Sequence, residues 1–103
     1  MEAENTHSAI FTSTTGGIMT DEAGAITGEL EVETRVEDGS VAARARYAGA
    51  DEWYAVTGSP VTAGEGSPHG AQALHERVVA HLRRPGPVLD GNEEAVSLVG
   101  FSA

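Results

Sequence analysis

From Ile26 to Val36 the chain alternates apolar and polar residues, and after Asp38-Gly39 the run from Val41 to Tyr47 keeps the same two-residue period. Side chains of a strand project to opposite faces in turn, so this period predicts one wet side and one buried side. Asp-Gly suits a two-residue type I′ turn, whose central residues both need positive φ. Folding the chain about that pair sets Val36 opposite Val41, Val32 opposite Ala45 and Leu30 opposite Tyr47 on the apolar face. The same register sets Glu33 against Arg44 and Glu31 against Arg46 on the other face. Opposite-charge cross-strand pairs of this kind are worth a few tenths to about 1 kcal/mol each.

Upstream, residues 9–12 and 18–20 read as short strands, and residues 21–24 as the turn that leads into the hairpin. That turn puts Met19 opposite Ile26 on the buried face and brings Gly17 near Gly28. Residues 1–7 are expected to form a flexible tail. Beyond Tyr47 the chain turns at residues 49–51, and residues 52–57 form another strand. Trp53 is expected on the buried side of that strand, because a single Trp in a thin core is more often packed than exposed. Ser67-Pro68 then combines an N-cap with a proline at the first helical position. The proline pair at 85 and 87 ends a helix over about 68–84. Its apolar stripe is Ala71, Leu74, His75, Val78 and Leu82. Residues 88–89 read as a brief strand, 90–92 as a turn, and 95–101 as a C-terminal strand returning to the sheet. The expected architecture is one α+β domain over residues 8–103, an antiparallel β-meander of four to six strands with one helix packed on one face.

Composition adds limits. Of the 103 residues 40% are apolar, many of them alanine, so the core is thin. The net charge is −10, and all six cations are arginine. A surface of this sign repels phosphate, which argues against a nucleic-acid or acidic-membrane partner. The absence of cysteine excludes disulfides and thiol catalysis. Residues 1–7 are acidic and resemble no signal peptide, and no run is apolar enough to span a membrane, so a cytoplasmic location is the expectation.

Candidate chemistry is sparse. His69, His75 and His81 are six residues apart, about 120° around a helix, which is poor geometry for a shared metal. The glycine-containing loop before the helix matches no phosphate-binding fingerprint. No serine sits in a nucleophile elbow, and no carboxylate pair stands out among the 16 acids. No catalytic residue, metal ligand or cofactor is therefore nominated. What remains is the charged face of the hairpin, with Glu31, Glu33, Arg44, Arg46 and Trp53 as a surface for docking another protein, since Arg and Trp are favoured at binding hot spots. The leading expectation is a non-catalytic protein of regulator, inhibitor, antitoxin or immunity type, acidic enough to complement a basic partner. Homodimerisation through an unprotected edge strand is a further expectation. The alternative is a small-molecule carrier or enzyme with a pocket between helix and sheet, lined by His75, Trp53 and Tyr54.

Overall fold

The computed structural model describes residues 5–62 and 70–101. Along the chain run β1 (Thr6–Thr12), β2 (Ile18–Thr20), β3 (Gly24–Ile26), β4 (Glu29–Glu37), β5 (Ser40–Tyr47), β6 (Tyr54–Ala55), β7 (Val61–Thr62), α1 (Ala71–Leu82), β8 (Val88–Leu89) and β9 (Asn92–Glu93). The main antiparallel sheet has the order β1-β4-β5-β6, with β7 also pairing with β5. One helix lies across its inner face, so the fold is α+β.

The β4–β5 hairpin is the centre of this sheet and has the register expected from its pattern. Asp38 and Gly39 take φ of 50° and 77°, as a type I′ turn requires. Val36 pairs with Val41, Val32 with Ala45 and Leu30 with Tyr47. Leu30, Val32, Val41 and Ala45 are fully buried. Tyr47 keeps its pairing, but at the strand end it is 43% exposed. Thr34 shares the inner face and is completely buried, a polar group that needs a partner.

The hairpin does not extend back to Ile26. Gly28, at φ 108°, breaks the chain between β3 and β4, and Ser13 closes the break with hydrogen bonds to and from the Gly28 backbone. Ile26 instead belongs to a separate ribbon, where it pairs with Ile18 while Met19 pairs with Ala25. That register is one residue away from the expected Met19–Ile26 pair. The cause is local: Thr20 Oγ1 donates to the Gly24 carbonyl and accepts from Ala23 N–H, drawing Gly24 into the ladder as the partner of Thr20. Ile18 is therefore buried and Met19 only half-buried.

β1 begins at Thr6, so Thr6 and His7, expected in the tail, pair with Arg35 and Thr34. At the other end, α1 starts at Ala71 with Gly70 as N-cap, later than the expected start near 68. Ser67 and Pro68, which carried the start signal, lie outside the described residues. The helix ends at Leu82 with Arg83 as C-cap, short of the expected 84. Leu74, His75, Val78 and Leu82 are its buried residues, which matches the predicted stripe.

The C-terminal segment is not a sheet strand. It touches the fold through one parallel bridge between Val96 and Ile18, and through hydrogen bonds from Met19 N–H to Val96 O and from Leu98 N–H to Thr57 O. Val96 and Leu98 are buried nonetheless. This irregular path passes so close to Gly58 that a Cβ there would collide with the Leu98 carbonyl carbon, and Gly58 also has φ of 96°.

Candidate functional site

Two surfaces carry the notable side chains, one on each face of the main sheet. On the outer face, Arg44 Nε donates to Glu33 Oε1 at 2.7 Å and Arg46 Nε to Glu31 Oε1 at 2.8 Å. These are the cross-strand partners that alternation places there. Trp53 lies against both arginines, each guanidinium carbon 4.4 Å from its ring centroid. Trp53 thus sits on the outer face, half-buried by arginine rather than packed in the core as expected. The expected strand over 52–57 is reduced to Tyr54–Ala55, and it is Val56 that fills the core. Each arginine meets a carboxylate at the guanidinium edge and an indole at its face, so its planar head is held in one orientation.

Next to this stack the surface turns aromatic and acidic. Tyr54 OH lies 3.4 Å from Glu52 Oε1. Partial burial, then the Glu52 carboxylate, push the Tyr54 phenol above its ordinary range, with Tyr47 and Glu22 adding to the effect. Glu22 is itself held in place, accepting from Ala55 N–H at 2.8 Å. On the other side of the stack, a recess of about 360 Å³ opens between Arg35, Arg44 and Pro60.

The inner-face site lies between α1 and β1. His75 is 7% exposed, and its Nδ1 hydrogen-bonds Thr34 Oγ1 at 2.8 Å. His7, which pairs with Thr34 in the sheet, places its ring centroid 5.6 Å from that of His75. Burial, then the neighbouring His7, depress the His75 pKa below its usual value, with Glu76 opposing the shift. The two rings wall a groove of about 470 Å³, bordered by Ser8 and Ala9 of β1, by Gln72 and Val79 of α1 and by its C-cap Arg83.

The hairpin residues Glu31, Glu33, Arg44, Arg46 and Trp53 are therefore brought together as one cluster. His75, Trp53 and Tyr54 are not. His75 faces the groove at the β1 side, Trp53 lies on the opposite face, and Tyr54 belongs to β6 at the far end of the strand order. Sequence reasoning passed over His7 and Thr34. A signal for Thr34 exists, since it is a hydrogen-bonding side chain at an inward position of the alternation. None exists for His7, whose neighbours are set by a strand some 27 residues away.

Among the described residues, no cluster of three or more His, Asp or Glu side chains could hold a metal ion, and no helix is long and apolar enough to cross a membrane. The chain matches no family model, no curated protein and no solved structure.

Proposed function

We propose that this protein is a small non-catalytic binding domain that acts by protein–protein contact through the outer face of its β4–β5 hairpin. The observation that carries this reading is the Arg44–Trp53–Arg46 stack, each arginine also anchored to a glutamate. Side chains already held in one geometry lose little entropy on association, and Trp, Tyr and Arg are the residue types that dominate interface energetics. The adjoining rim of Tyr47, Tyr54, Glu22 and Glu52, on a chain of net charge −10, favours a partner that presents basic residues. Regulator, inhibitor, antitoxin and immunity proteins are the functional types such a surface serves.

The test compares capture from native extract by the wild-type chain, by Trp53→Ala and by the exposed-site control Val99→Ser. A basic protein recovered stoichiometrically, retained by the control and weakened at least about tenfold by Trp53→Ala, supports the reading. Equal recovery by Trp53→Ala overturns it, as does the absence of any stoichiometric partner at low salt.

A further inference from the structure

The groove between β1 and α1 lies on the face opposite the Trp53 stack and is independent of it. β1 is the terminal strand of the main sheet, pairing with β4 on one side and with no described strand on the other. A strand in that position presents a row of unpaired N–H and C=O groups. Proteins blunt such edges with charged side chains, prolines or bulges, and β1, with the sequence Thr-His-Ser-Ala-Ile-Phe-Thr, contains no Asp, Glu, Lys, Arg or Pro. It pairs with β4 in unbroken register over all seven residues, so no bulge turns it away.

The open edge runs beside a groove rather than a flat surface. On the helix side, Gln72, Val79 and the C-cap Arg83 lie within eleven residue steps, a length of about 16 Å at the α-helical rise. An extended chain covers that distance in about five residues. A peptide adding to β1 would direct every second side chain into the groove, where Ala9 and Val79 leave room for a small apolar group. Strand addition beside a helix draws affinity from the main chain and specificity from such alternate pockets.

Charge selects the occupant. Arg83 places its guanidinium 5.5 Å from the Phe11 ring centroid and forms no ion pair among the described residues. Glu76, the carboxylate at the groove, already accepts from Gln72 Nε2 at 3.2 Å. Glu76 keeps its negative charge in that bond, so the groove carries an anion toward its Gln72 end and, at Arg83, a cation with no ion-pair partner among the described residues. A second copy of this chain does not complement it, because β1 carries no carboxylate and each copy brings a net charge of −10. We propose that this groove binds an extended segment of another protein by main-chain addition to β1, with a small apolar side chain beside Val79 and a carboxylate at Arg83.

The experiment selects binders for the full chain from a phage-displayed library of random nine-residue peptides, then measures their affinities by fluorescence anisotropy. Enriched peptides that carry a carboxylate and shift the amide resonances of residues 6–12 support the proposal. Their affinity then falls at least tenfold with Arg83→Glu and with Ala80→Trp, both at exposed positions, and is unchanged by Val88→Ser on the β8–β9 hairpin. The absence of enrichment overturns the proposal, and so do peptides whose binding ignores Arg83→Glu or that perturb other surfaces. Self-association of the free chain through residues 6–12, seen by sedimentation and the same amide shifts, overturns it in favour of a second copy. Loss of the Trp53-dependent partner has no bearing on these readouts, so the two proposals fail separately.

Discussion

At the scale of single residues, His75 is the buried titratable side chain among the described residues. Its ring meets Thr34 from β4 and His7 from β1, while Glu76 is its charged neighbour on α1. The inward side chains of β5, the third strand beneath the helix, are Val41, Ala43 and Ala45, which do not titrate. Burial and His7 both disfavour the imidazolium, and Glu76 offsets them only in part, so His75 is neutral in the folded state near neutral pH. The sign of the pH dependence follows. The unfolded chain takes up this proton near the ordinary value of 6.5, whereas the folded chain resists until a lower pH. Stability is then complete above pH 6.5 and declines as the pH falls below it toward the folded-state value. Thermal denaturation monitored by circular dichroism from pH 8 to 5 checks this, with the His75→Leu/Thr34→Val double variant as reference. That variant removes both hydrogen-bonding partners, and the decline just below pH 6.5 should be absent from it. An unchanged decline in the double variant would assign it to other groups.

At the scale of elements, what the sequence made legible was whatever neighbouring residues decide among themselves. In the β4–β5 hairpin, turn chemistry, alternation and cross-strand charge all specify one register, and a slip by one residue would bury the glutamates. The charged cluster on the outer face was legible for the same reason, except for the side taken by Trp53. That side depends on the geometry of the loop over 48–53, and no local pattern sets its parity. The Met19–Ile26 pairing failed because a side-chain bond of Thr20 sets the ribbon register. The C-terminal segment has strand composition, yet Val96 and Leu98 bury themselves along an irregular path that no periodicity encodes. Gly58 is where that path can be tested. Alanine there would take a φ of 96° and drive its Cβ into the Leu98 backbone. Left-handed backbone alone costs an L-residue about 1–2 kcal/mol, and the collision adds to it. Gly58→Ala is expected to destabilise the fold by at least about 2 kcal/mol in urea titration, whereas Gly39→Ala, which meets open space, loses only the backbone contribution. Equal losses at the two sites would mean that the C-terminal segment does not pack against Gly58.

At the scale of the whole molecule, charge is the dominant property, with 16 acids against six bases. Two opposing effects of salt follow. The cross-strand pairs Glu33–Arg44 and Glu31–Arg46 weaken as salt screens them, but pairs still reached by solvent contribute only about 0–1 kcal/mol each. The net charge of −10 repels itself across a molecule whose Cα radius of gyration is 13.1 Å, comparable to the screening length of about 10 Å at 0.1 M salt. Three ion pairs among the described residues involve only a minority of the carboxylates, so repulsion outweighs attraction in the folded state. Raising sodium chloride from 0.01 to 0.5 M is therefore expected to increase the thermal midpoint. The basic partner proposed above is expected to respond in the opposite direction, its association rate falling because the same ions screen the attraction that would steer it. Differential scanning calorimetry and stopped-flow association over one salt series separate these effects. A midpoint that drops with salt would mean that the arginine–glutamate ladder, rather than the excess of acid, governs the electrostatics of the fold. The orienting role of that ladder for Trp53 would then be inseparable from its contribution to stability.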